Sequence, residues 1–367
     1  MHFRIFDAWR LTAALLIMTY HFLYAGPMAH ETPGIAFLYR LLPLLDMFFM
    51  MSGFFIAARY ARRLSSPADF VGFMRRRIAR VYPLHLLTLG FFAVMGLVFA
   101  SGLVASAEPE RWDLSALPAN ILALHALGTT SALTFNYVSW SVSAEIFCYA
   151  LFPLVVFALR RGGLGGLVLL LAVWVAGLEA ASAAGFFPRE HWLKADTFGA
   201  WRAFADFVLG AIVAVLVERR LAAAAGRPLS HRPGFLALGL AVATMLLQAS
   251  PYLTIALFAA AMLFTACAES ARPDSTRILA PLAPVSRLAF SIYLLHPVME
   301  TLFLSLLWKR VLSPPEPSLL LFYAYLAVPM AATIVVALLS ERFVEPRLAR
   351  LVAGPARPRP MPACVPA

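Results

Sequence analysis

The sequence predicts an all-α, polytopic integral membrane protein of about ten transmembrane helices. Composition is the first reason. Of 367 residues, 62% are hydrophobic and 13% charged, whereas soluble domains lie near about 45–50% and about 25%. The second reason is length: apolar runs long enough to cross a bilayer recur along the chain, separated by short polar joints. The third is charge. A net charge of +11 would suggest a nucleic-acid partner in a soluble protein. Here the arginines gather in alternate loops, as membrane orientation requires, so no nucleic acid is expected.

At about 20 residues per crossing, the spans fall at 7–26, 35–58, 81–103, 141–159, 164–184, 199–217, 234–249, 252–268, 288–307 and 319–340. The pair 234–249 and 252–268 is short and split by Ser250-Pro251, so two full crossings there remain open. The arginines from Arg59 to Arg80, Arg160 and Arg161, those from Arg219 to Arg232, those from Arg272 to Arg287 and those from Arg342 onward mark the cytoplasmic side. Both termini are then cytoplasmic in a multi-pass protein of the inner (plasma) membrane. The first run has an acid in its leading part and no small-residue cleavage site, so it reads as a retained span and not a signal peptide.

Residues 114–135 are apolar but contain Pro118, Asn120, His125 and Gly128, and both flanks map outside. A re-entrant or interfacial segment fits better than a crossing. Irregular backbone at that depth needs protein or a wet cavity to satisfy it, so this segment is expected to line the outer mouth of a site. Residues 1–350 form one transmembrane domain, and 351–367 form a proline-rich, disordered cytoplasmic tail. Cys148, Cys267 and Cys364 are scattered, so neither a disulfide framework nor a metal site is expected.

Chemistry concentrates in the first span, F-D-A-W-R-L-T-A-A-L-L-I-M-T-Y-H-F. Charged or titratable groups in such a segment are costly and usually face a protein interior or a cavity. Arg10 and His21 are eleven residues apart; at roughly 100° and 1.5 Å per residue they share one stripe about 16 Å long. Asp7 is one turn from Arg10, placed to pair with it. In the second span Asp46 needs a partner, Arg10 or another buried polar group, and Ser52-Gly53 reads first as a packing position. Arg77 and Arg80 form R-x-x-R, one helical turn apart, a pair of guanidiniums suited to phosphate.

Glu145 lies a few residues inside the outer boundary, at a depth like that of His21, so the two are a candidate acid/base pair. Trp140 and Tyr137 are interface-belt types; Trp140, Ser143 and Tyr149, on the helix that carries Glu145, are candidates for contacting substrate. Tyr293 and His296 sit one turn apart in the ninth span and read as pocket-lining or structural, with His85, His125 and Arg202 weaker candidates.

These motifs together resemble one family. F-D-A-W-R-x10-H, D-M-F-F-M-M-S-G-F, R-R-I-A-R-V-Y-P, W-S-V-S-A-E-x-F-x-Y-x-L-F-P, F-S-I-Y-L-L-H-P and the late Glu345-Pro346 occur in order over nearly the whole chain. The chain is similar to the acyltransferase-3 family of membrane O-acyltransferases. The resemblance implies ten or so helices, acetyl-CoA or another acyl-CoA as donor, and hydroxyls of surface carbohydrates or small molecules as acceptors. It places Arg10 and His21 on the family's arginine–histidine positions and Arg77 and Arg80 on its R-x-x-R. Met51 stands where leucine is common in L-S-G-F. No fused esterase-like domain is expected, and the chain resembles stand-alone members acting on exopolysaccharides, lipid-linked sugars, oligosaccharides or macrolides.

The expectation is therefore CoA phosphates at Arg77 and Arg80, and Arg10, with Ser52, along the donor's thioester arm. His21 is expected as general base or transient acyl carrier, with Glu145 or Asp46 orienting it. Membrane lipid surrounds the bundle. A competing reading is a carrier or flippase for an anionic or lipid-linked solute; inverted halves would favour it, and none is visible.

Overall fold

The computed structural model describes residues 3–26, 33–102, 108–188, 191–194, 196–224, 229–312 and 319–353; these form helices and turns, with no strand among the described residues. Helix α1 spans Arg4–Tyr24. Its exposed first N–H groups are satisfied by a side chain from elsewhere, since Glu269 accepts from Arg4 N at 2.8 Å and Ile5 N at 3.4 Å. An anion at a helix N-terminus also meets the positive end of the helix dipole. The second expected span divides into α2, Pro33–Arg40, and α3, Leu44–Tyr60. The break at 41–43 contains Pro43, which has no N–H to offer a helix.

Helix α4, Pro67–Ala100, starts well before the expected position 81. Ser66 and Asp69 form a reciprocal capping box with Pro67 at the first helical position, a strong start signal in an otherwise basic loop. The R-x-x-R pair therefore lies within a helix. Residues 108–139 hold no helix of membrane length; they make turns around the short α5, Leu117–Ile121. This segment folds inward, with Asn120, His125, Asn136 and Ser139 buried. Their polar atoms are used internally. Asn120 Nδ2 donates to Thr134 Oγ1 at 2.8 Å, Asn136 Nδ2 to Thr88 Oγ1 at 3.0 Å, and His125 Nε2 lies 3.1 Å from Ser139 Oγ.

Helix α6, Trp140–Ala183, joins the fourth and fifth expected spans across Gly163, whose φ of 57° and ψ of −137° are non-helical. Then follow α7 (Gly199–Ala224), α8 (Arg232–Leu246), α9 (Pro251–Ala271) and the short α10 (Ala283–Ser286). Helix α11, Ala289–Met299, continues in π winding over Glu300–Leu312. Helix α12, Leu319–Leu339, leads through a π turn to α13, Glu345–Ala353. Residues 351–353 of the expected tail thus belong to α13, and 354–367 lie outside the described residues.

Among the described residues seven helices are long and apolar enough to cross a membrane, fewer than the expected ten or so. Helix α1 is not among them, because Arg4, Asp7, Arg10 and His21 dilute its apolar character. Helix α8 has 15 residues, and 137–183 counts once despite its division at Gly163.

Two apolar cores meet at α1. Phe3, Ile5, Phe6 and Ala13 join a core built with α3, α6, α7 and α9. Leu11, Ala14, Ile17, Met18 and Phe22 join another with α4, the 108–139 segment, α11 and α12. The helix carrying Arg10 and His21 therefore lies along the seam of the bundle.

Candidate active site

Polar groups gather at both ends of α1. At the Arg10 end, Arg10 pairs with Asp7 one turn away, and its guanidinium lies 5.6 Å from the Phe55 ring. Arg80 and Glu145 are its other charged neighbours. Arg77 Nη2 donates to the Tyr60 hydroxyl at 3.3 Å, with its guanidinium 5.3 Å from that ring's centre, while Arg77 Nε is buried without a hydrogen-bond partner. Glu145 accepts from Ser52 Oγ at 2.5 Å and from the Tyr149 hydroxyl; Arg77 and Arg80 both lie near Tyr149. Arg10, Ser52, Arg77, Arg80, Glu145 and Tyr149 thus form one cluster, rich in donors for an anion and balanced by the half-buried Glu145 carboxylate beyond Asp7.

At the other end the His21 imidazole is held between rings. Its centre lies 4.8 Å from that of Tyr137 and 5.2 Å from that of His296, the two imidazoles inclined by only 25°. His296 is fully buried, and neither of its ring nitrogens has a well-formed hydrogen bond. Tyr137 donates to Glu300 Oε2 at 2.5 Å. The Arg111 guanidinium stands 4.8 Å from the Tyr137 ring and also lines a cavity of about 400 Å³ with Glu108, Pro109, Glu110, Ala132 and Leu133. Between the two ends the α1 stripe is filled by Ala13, Ala14, Ile17 and Met18, each at most 2% exposed.

Two expected pairings are corrected. Glu145 does not stand beside His21; it binds Ser52 and Tyr149 at the Arg10 end. The physical reason is packing: Glu145 finds the Ser52 hydroxyl of α3 and the Tyr149 hydroxyl one turn along its own helix, whereas the rings of Tyr137 and His296 occupy the space beside His21. Asp46 pairs with neither Arg10 nor His21. Its partner is Arg202, Nε to Oδ1 at 3.2 Å, with Asp206 buried beside them.

The remaining candidates have defined places. The Arg202 guanidinium lies 5.5 Å from the Trp140 ring, so Trp140 belongs with Asp46. Ser143 staples the inward segment to α6, donating to Ala123 O at 2.7 Å and accepting from Ala126 N at 3.1 Å; this uses its hydroxyl structurally. That staple holds Ala123 at a φ of 52°, a region L-residues seldom occupy. The Tyr293 hydroxyl donates to Val138 O at 3.2 Å, and its ring is 5.9 Å from His296. His85 stacks on His125 at 5.7 Å and meets Asn120 O at 2.9 Å, a structural pair.

Sequence reasoning passed over Glu300, Arg111 and Asp206, and treated Tyr137 as an interface residue. Glu300 and Asp206 carried a readable signal, since each is an acid inside an apolar run. Arg111 did not, because between Glu110 and Trp112 it reads as ordinary loop polarity.

A helical bundle with spans of membrane length, an arginine cluster at one end of α1 and a histidine near its other end defines a multi-pass membrane protein with polar groups gathered inside the bundle. Comparison with known families supplies its class. The family model described as an acyltransferase domain (Acyl_transf_3) matches residues 3–338, and the chain belongs to this acyltransferase family. It is also 33% identical over 154 residues to Acyltransferase MdmB of Streptomyces mycarofaciens. That match covers 40% of this chain and spans only 37% of the relative's length. No solved structure matches the chain.

Proposed function

We propose that this acyltransferase moves an acyl group, acetyl in the first instance, from acyl-CoA to a hydroxyl of a carbohydrate or cell-surface or exopolysaccharide precursor. The observation that carries the reading is that Arg10 and His21 project from one seam helix into separate polar clusters. The CoA phosphates would dock at Arg77 and Arg80, where the unpartnered Arg77 Nε–H and the exposed Arg80 guanidinium suit phosphate oxygens. Arg10 and Ser52 would guide the pantetheine arm, with Glu145 and Tyr149 fixing those groups in place. In this arrangement Glu145 belongs to the donor end and Asp46 to the scaffold around Arg202.

His21 would take the proton of the acceptor hydroxyl as its oxygen attacks the thioester carbonyl. The tetrahedral intermediate then expels CoA thiolate, which takes the proton from the imidazolium, leaving an ester and free CoA. A route through a transient acyl-imidazole uses the same residues. The reading places ten or so crossings in the inner membrane, both termini in the cytoplasm and residues 1–350 as the catalytic domain.

The test is purified protein given acetyl-CoA and a saccharide fraction from the cell envelope, with free CoA and ester formation both measured. Saccharide-dependent CoA release, lost in His21→Ala with membrane abundance unchanged, is expected. A His21→Ala variant transferring at the wild-type rate would refute the role of His21. Movement of labelled saccharide across vesicles without CoA release would mark a carrier instead.

A further inference from the structure

If His21 is the base, something must hold its ring, and the two carboxylates nominated for that task are engaged elsewhere: Glu145 with Ser52 and Tyr149, Asp46 with Arg202. No hydrogen bond to the His21 ring is formed among the described residues; neighbouring rings hold it, His296 stacked on it and Tyr137 tilted against it, with Tyr20 alongside from its own helix. We propose that Glu300, acting through Tyr137, is the positioning carboxylate for the His21 imidazole. The inference rests on the catalytic reading of His21.

The geometry supports it in three ways. The Tyr137–Glu300 bond is 2.5 Å long, the length of a charge-assisted O–H···O⁻ contact. Glu300 is 9% exposed, so little water competes for that bond. A phenol anchored at its hydroxyl cannot swing away, and its ring is then fixed against the imidazole. The second support is charge. Besides the Tyr137 and Tyr20 phenols, the groups whose charge acts on His21 are His296 and Arg111, and Arg111 is in turn the principal cation acting on Glu300. Arg111 and Glu300 both border Tyr137, so when His21 takes a proton Glu300 offsets the field of that guanidinium on the imidazolium. The third is local backbone. Winding changes from α to π at Glu300, and such departures in a helix recur at functional sites.

A simpler role is also conceivable, with Tyr137 and Glu300 only joining the 108–139 segment to α11. Full-length wild type, Glu300→Gln, Glu300→Asp, Tyr137→Phe and the Tyr137→Phe/Glu300→Gln pair separate the two, using acetyl-CoA and the envelope saccharide fraction. General-base action contributes roughly 10²–10⁴-fold, and loss of its support is expected to lower kcat about 10- to 100-fold. The KM for acetyl-CoA should stay within about twofold, because the arginine cluster is untouched. Glu300→Asp should recover part of the rate, and the double variant should be no slower than the worse single one. Wild-type kcat in Glu300→Gln, or losses that multiply in the double variant, would overturn the proposal. Tyr137→Phe removes one oxygen and preserves the ring, so it decides the matter should Glu300→Gln fail to fold. An inactive His21→Ala beside a fully active Glu300→Gln refutes this inference alone, whereas an active His21→Ala refutes the parent reading.

Discussion

Gly53 on α3 and Gly210 on α7 each lie against the other helix's backbone. A Cβ on Gly53 would strike the carbonyl oxygen of Phe207, and one on Gly210 the carbonyl oxygen of Met50. This contact brings α3 and α7 together along their length, and Ser52, the neighbour of Gly53, meets Glu145 of α6. Small residues at such a crossing let backbones approach closely.

Gly53→Ala and Gly210→Ala are therefore expected to destabilise the bundle by about 1–3 kcal/mol each, the usual cost of overpacking, since a backbone carbonyl cannot rotate aside. Thermal unfolding in detergent measures this. Gly177→Ala, at an open helical position, should be neutral or gain up to about 1 kcal/mol from helix propensity. Equal melting temperatures for all three variants would contradict the packing argument.

Arg202 pairs with the buried Asp46, and Asp196 and the buried Asp206 lie near it. Removing one partner of a buried ion pair costs about 3–5 kcal/mol. Arg202→Met would leave both acids without a cation, whereas Asp46→Asn leaves Arg202 with Asp206. The expected order in thermal unfolding is Arg202→Met far below Asp46→Asn, with Arg202→Met/Asp206→Asn recovering part of the loss. A protein indifferent to Arg202→Met would show that this cluster does not support the fold.

Arg77→Ala and Arg80→Ala should raise the KM for acetyl-CoA. A hydrogen bond to a charged group is worth about 1.5–3 kcal/mol, or about tenfold and more at roughly 1.4 kcal/mol per decade. The contrast that isolates phosphate binding is acetyl-pantetheine, which lacks the nucleotide. With that donor the variants and wild type should show the same KM. A penalty of equal size for both donors would move these arginines out of phosphate recognition.

Much of the fold was legible because helix length and apolarity are local properties. The breaks at Ser250-Pro251 and between the fourth and fifth spans, the turn-rich 114–135 stretch and the Arg10–His21 stripe follow from residue type and helical repeat. The early start of α4 was written in Ser66, Pro67 and Asp69 but was hidden under the density of arginines beyond it. The donor-end cluster was legible only in part: Arg10, Arg77 and Arg80 were evident, while Glu145 and Tyr149 joined them through the packing of α6 against α3 and α4, which no local pattern announces.

The sequence by itself determined that the chain is a helical membrane protein, that α1 carries a cation and an imidazole on one stripe, and that each buried charge needs a partner. Only the tertiary structure decided which partner. Asp46 found Arg202, Glu145 found Ser52 and Tyr149, and Glu300 found Tyr137 beside His21. The physical reason is that the cost of burying a charge depends on residue type and depth. Its compensation depends on which helix face comes within about 3 Å, and side-chain packing sets that across residues far apart in the chain.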